Sequence, residues 1–225
     1  MANNFYHNLN EPPEFGELTF TFSLEPVSLQ SSGVKKEFVK SEIRKITKTL
    51  NYLLSGDVKI DIQWLVYEQE RYENPNSPDM DNIIKPILDG LSGPEGILID
   101  DCQVQTISSH WVDWTRKEHQ INITVQYISD DYVSKDNLIF VNLGNNLYMP
   151  FHTNIKWQAK EILLEHLVTG MNLKNEILLK TGNYYQAKMF MSVQRIFHKS
   201  RIFDKYKCLE TSEFRAQIEL EKKNE

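Results

Sequence analysis

Between Gly16 and Pro26, Leu18, Phe20 and Phe22 alternate with Thr and Glu, and this period of two predicts a half-buried strand. From Val34 to Leu54 the spacing becomes helical, with Val34, Phe38, Val39, Ile43, Ile46, Leu50 and Leu53 on one stripe and lysines between them. Alternation returns in "DVKIDIQWLVYE" through Val58, Ile60, Ile62 and Trp64, which predicts a second strand. The polar stretch "ERYENPNSPD" reads as a loop, and "PDMDNIIKPILDGL" as a helix. A short apolar run, "GILID", reads as a strand ending in two aspartates. "CQVQTISSHWVDW" and "HQINITVQYI" follow as two strands joined by the charged turn Thr115-Arg116-Lys117-Glu118. The order β-α-β-α-β-β over the first ~128 residues predicts a small α/β (α+β) domain.

Beyond it, "SDDYVSKDN" is polar and without an apolar period, which places a boundary near residue 130 and divides the chain into 1–130 and 131–225. In the second part "LIFVNLGNNLYMPF" predicts a hairpin turning at Gly144-Asn145-Asn146. The remainder predicts a mainly helical extension, with runs around 155–168, 175–179 and 187–203 and a charged last helix over 212–223.

Composition adds exclusions. The 225 residues are 40% hydrophobic and 25% charged, an ordinary globular profile, and no apolar run approaches the ~18 residues of a membrane span. "MANNFYHNLNEPPEF" has no basic and apolar export pattern, so a cytoplasmic protein is expected. Cys102 and Cys208 stand far apart outside any zinc-ligand spacing, and are expected to be reduced thiols. Charge is uneven: residues 1–130 carry 11 Lys+Arg against 20 Asp+Glu, a net of −9, while 131–225 carry 14 against 11, a net of +3. The basic excess lies between Lys156 and Lys207, interleaved with Tyr184, Tyr185, Phe190 and Phe197. Such a stretch is either a solvated helical face, a partner interface or a polyanion surface, for which Lys188, Arg195, Lys199 and Arg201 are the candidate contacts.

The chemistry is concentrated in "PDMDNIIKPILDGL" and the "DDCQV" that follows. If Asp81 or Asn82 caps a helix, Asp81, Lys85 and Asp89 share one face while Ile84, Ile87, Leu88 and Leu91 share the other. Pro86 disturbs a regular helix and points to an irregular or late start. Asp79 sits on extended backbone just before, and only one of Asp100 and Asp101 at a strand end faces the same spot. Converging carboxylates repel unless protonated or neutralised, and a hard divalent cation such as Mg²⁺ neutralises them with oxygen ligands. A lysine among them supplies charge for a phosphate. As an EF-hand loop the motif fails, since Ile84 and Gly90 stand where glycine and glutamate are needed. His110, between Ser109 and Trp111, reads as a structural histidine rather than a ligand.

These residues closely resemble the signature of the RusA-type Holliday junction resolvases, in which Asp-x-Asp-Asn-x-x-Lys, a further Asp, and Asp-Asp-x-Gln-Val recur in that order. The resemblance spans residues ~16–128 and implies a small mixed sheet with helices packed on it. It implies Asp79, Asp81, Lys85 and Asp101 as catalytic residues, with Asp79, Asp81, Asp101 and Asp100 toward the metal and Asn82, Asp89 and Gln103 in support. It further implies a Mg²⁺-dependent homodimeric endonuclease nicking four-way DNA in recombination and repair. Two alternatives stand beside it: a junction-binding protein that has lost catalysis, and a nuclease directed to another nucleic-acid structure by a protein partner of residues 131–225.

Overall fold

Strand β1 (Glu17–Phe22) forms where Leu18, Phe20 and Phe22 alternate, and all three are buried. Helix α1 (Gly33–Thr47) starts at Ser32, whose side chain accepts from Lys35 N, and buries Val39 and Ile43. It stops well short of the residue-54 end that its apolar spacing predicts. Tyr52–Leu54 instead forms a fully buried strand, β2. A three-residue apolar run fits either element by pattern, and here burial on all sides decides for the strand. Strand β3 (Val58–Tyr67) carries the expected alternation. The stretch expected to be a loop opens with a short helix, α2 (Glu68–Glu73), followed by α3 (Met80–Leu91), a 3₁₀ turn (Asp101–Gln103), β4 (Val104–Trp114), β5 (Gln120–Gln126) and β6 (Tyr132–Ser134). The computed structural model describes residues 8–27, 31–75 and 79–224, without the side chain of Asp81. It divides into two units, Met1–Lys135 and Asp136–Glu225.

In the first unit the sheet order is β1-β5-β3-β4, with β3 antiparallel to β5 and parallel to β4, while β2 pairs with β6. The strands joined by the Thr115–Glu118 turn are therefore not neighbours, because β3 lies between them. The parallel pair needs a crossover, and α3 is part of it. One face of the sheet packs Ile60, Ile62, Trp64, Ile121 and Ile123 with Val39 and Ile43 of α1 and Ile83, Ile87 and Leu91 of α3. The other face is polar, with Thr19 bonded to Thr124, Thr21 to Asn122 and Ser108 to Asp61. His110 projects from β4 at the register of Gln63 and is exposed rather than enclosed. At Gly90 a Cβ would lie 2.9 Å from Ile43 Cδ1, so glycine sets how closely α3 approaches α1.

The second unit begins with strands β7 (Leu138–Asn142) and β8 (Leu147–His152). They form the expected hairpin, with Asn145 and Asn146 at φ 54° and 57° and Leu147 N bonded to Gly144 O at 3.0 Å. Helix α4 (Trp157–Thr181) runs unbroken through the two runs read as separate. Gly170, at its middle, does not stop it; a Cβ there would meet Phe190 O at 2.4 Å, so glycine serves packing. The region 187–203 is not one helix. It is divided among α5 (Tyr184–Ala187), a 3₁₀ turn (Lys188–Phe190), β9 (Phe197–His198) and α6 (Lys199–Ile202), before β10 (Cys208–Leu209) and α7 (Thr211–Asn224). The sheet order is β10-β7-β8-β9, and its core joins Ile139, Val141, Met149 and Phe151 to α4 and α7 through Leu164, Met171, Phe214 and Ile218. The fold is mixed α+β with helices prominent in the C-terminal unit. No helix among the described residues is long and apolar enough to cross a membrane.

Candidate active site

Helix α3 begins earlier than expected. Asp79, on extended backbone (φ −70°, ψ 151°), is its N-cap. Its exposed carboxylate makes no capping hydrogen bond. Pro86 is inside the helix rather than near its first turn, and removes the N–H that would bond the carbonyl of Asn82. The buried face is Ile83, Ile87 and Leu91, with Pro86 and Gly90; Ile84 and Leu88 are only half-buried. The apolar stripe is thus turned by one residue from the expected one, because the helix axis follows its close contact with α1. The backbone of Asp81 lies in the first turn, and its side chain is outside the described residues.

Opposite this helix, Ile97, Leu98 and Ile99 are fully buried but form no regular strand. They run back along the helix end, with Ile97 N and Leu98 N both donating to Leu91 O, and touch Leu54 and Ser92 through isolated bridges. Asp100 then caps the 3₁₀ turn: its Oδ1 accepts from Cys102 N at 3.1 Å, and Asp100 N donates to Gln103 Oε1 at 3.0 Å. Gln103, completely buried, spends its amide on Leu54 O and Gly56 O, both at 2.8 Å. Asp100 is itself buried, so of the two aspartates it is Asp101 that turns to α3.

The two halves of the motif meet there. Lys85 Nζ donates to Asp101 Oδ2 at 2.6 Å and contacts Asp89 Oδ1 at 2.9 Å. Asp89 lies 3.8 Å from Lys40 Nζ, and Arg44 Nη2 donates to its backbone carbonyl. Charge alternates along Lys40, Asp89, Lys85 and Asp101. Desolvation pulls the Lys85 pKa down, but the hydrogen bonds and charges of Asp101 and Asp89 outweigh it and hold the pKa above the ordinary lysine value. Lys85 therefore carries a positive charge at neutral pH. Asn82 is half-buried on the same helix.

Lys40 and Arg44 were not among the residues singled out by the sequence. Their signal is that they flank the buried Val39 and Ile43, but which partner that face meets is a tertiary matter. Among the described residues no group of three or more His, Cys, Asp or Glu side chains is placed to hold a metal, with the Asp81 carboxylate outside the description. The donor chemistry of Asp79 and Asp101 fits a hard cation, being carboxylate oxygen. Cys102 and Cys208 are both half-buried, and neither forms a disulfide.

Residues 34–126 match the family model described as Endodeoxyribonuclease RusA. This segment is thus similar to a RusA-type endodeoxyribonuclease domain. The match starts in α1 and ends at the last residue of β5, and so takes in α3, the 3₁₀ turn and β4, the elements that bring Lys85 to Asp101. A comparison with curated proteins found no match.

The candidate DNA contacts all lie in the second unit. Lys188 sits over the ring of Tyr185, Arg195 over Phe197 and Lys199 over Phe203, with Arg201 on α6. Not every cation of this stretch reaches solvent. Lys160 is 2% exposed and bonds both carboxylate oxygens of Glu221 at 2.7 Å, and Lys174 is 4% exposed. Phe197, one of the aromatics interleaved with these cations, is in the interior against Phe140.

Proposed function

We propose that this protein is a cytoplasmic, Mg²⁺-dependent endonuclease that resolves four-way DNA junctions as a homodimer, in recombination and repair. The observation that carries the reading is the 2.6 Å contact between Lys85 and Asp101, which unites motif residues 16 positions apart within the segment that matches the RusA family model. Asp79, Asp81 and Asp101 would hold the metal, with Asp100 behind them. Bound there, Mg²⁺ supplies Lewis-acid activation of water and charge compensation at the scissile phosphate.

The protein's own groups do the rest. Lys85 offers a fixed positive charge to the phosphate as negative charge grows on it, and Asp89 orients that ammonium from the next helical turn. Gln103 and the Asp100 cap fix the turn from which Asp101 projects, and Asn82 supports the same helix face. A two-fold dimer suits a substrate that is itself nearly two-fold symmetric.

Cleavage of a four-way junction, a flap, a duplex and single strands with Mg²⁺ tests the reading. Wild type is expected to nick the junction preferentially, and Asp101→Asn and Lys85→Ala to lose about 10²–10³-fold in rate. A wild-type protein that cuts none of the four would overturn it. Junction cutting that survives Asp101→Asn would instead overturn the assigned site.

A further inference from the structure

We propose that the second unit binds single-stranded DNA through an aromatic and cationic surface built on residues 183–207, outside the family match. This stretch carries six Lys+Arg and one acidic residue, Asp204, within a chain whose net charge is −6. Its charge is opposite in sign to that of the rest of the chain and is complementary to a polyanion.

The same stretch exposes large flat side chains. Tyr185 is 74% exposed, Tyr184 51% and Phe190 41%. An exposed lysine accompanies one of the tyrosines, Lys188 Nζ lying 5.3 Å from the Tyr185 ring centre. With the ammonium over one face, the largely exposed ring offers its other face for a base to stack on, and the ammonium pairs with the adjoining phosphate.

These rings are held on fixed backbone. Asn183 caps α5 by accepting from Gln186 N, Ala187 is fully buried beneath it, and Tyr184 Oη lies 3.6 Å from Met191 Sδ. The carbonyl of Phe190 packs against Gly170 of α4, where any side chain would collide. Presenting rings this way avoids much of the ordering cost of binding. Stacking needs an open base face, which a duplex hides, so unpaired nucleotides are the ligand. The choice of DNA over RNA rests on the nuclease reading of the first unit.

The test is fluorescence anisotropy of the full chain with a fluorescein-labelled oligothymidine of about 20 nucleotides, in EDTA, over a range of NaCl concentrations. Wild type is expected to bind with affinity that falls linearly on a log–log salt plot. Tyr185→Ala should weaken binding about tenfold with the slope unchanged, and Tyr185→Phe should restore it. Lys188→Gln should reduce the slope by about 0.7. Tyr185 and Lys188 lie on the surface, and equal thermal melts check that the variants fold. No binding by wild type, wild-type affinity in both Tyr185→Ala and Lys188→Gln, or equal affinity for a duplex of the same length would each overturn the proposal. Because the assay excludes metal, its result is separate from cleavage: loss of cutting with oligothymidine binding intact overturns the nuclease reading alone.

Discussion

Lys85 and Lys135 show how placement decides what a lysine does. Lys85 lies between two carboxylates and keeps its proton, whereas Lys135 Nζ donates to a neutral group, Thr47 O, at 2.9 Å in a half-buried setting. Burial pushes the Lys135 pKa from 10.5 down to about 8, with the charge of Glu95 opposing. Between those values the unfolded chain holds a proton that the native state has released, so stability rises with pH across that window. Tyr127 works in the opposite sense: burial raises it from 10.0 to about 12, so the native state keeps its proton longer and stability is lost as pH climbs through that range. Urea unfolding from pH 7 to 10 should show wild type gaining stability relative to Lys135→Met; parallel curves would refute this assignment. Nothing in "SDDYVSKDN" announced a half-buried lysine, because only Val133 in that polar stretch is apolar enough to mark the strand β6 beside it.

The 3₁₀ turn before β4 is the element on which the site depends. Its sequence, "DDCQV", was legible as chemistry but misread as a strand end, since alternation of side chains is all that a short pattern offers. In the fold, the buried Gln103 joins the turn to the end of β2 through Leu54 O and to the loop before β3 through Gly56 O, and accepts from Asp100 N. Gln103→Ala leaves these buried groups without that partner and should cost about 2–4 kcal/mol of stability, measured by urea unfolding. A loss below about 0.5 kcal/mol would mean the turn is held by other contacts. Helix α3 was legible in its existence and in the face carrying Lys85 and Asp89. Its N-cap at Asp79 and its buried face at Ile83 were not, and the face depends on packing against α1, where Gly90 meets Ile43.

Across the whole molecule, two apolar cores form that share no residue, one around Trp64 and Ile87 and one around Phe151 and Phe214. Phe214 is 1% exposed and stacks edge-on to Phe151 with ring centres 5.1 Å apart. Phe214→Ala should destabilise the second unit by about 3–5 kcal/mol and leave the unfolding of the first unchanged, read from amide hydrogen exchange of each unit. Equal loss of protection in both units would show a single cooperative structure. The sequence by itself determined the strands with clean alternation, the Asn145-Asn146 hairpin and the residues of the motif, because period, turn chemistry and charge are local properties. Tertiary structure alone decided that β3 lies between β4 and β5, that Asp100 is spent on a cap while Asp101 meets Lys85, and that Lys160 and Lys174 are buried. Those outcomes depend on which distant segments come into contact, and local patterning does not encode that.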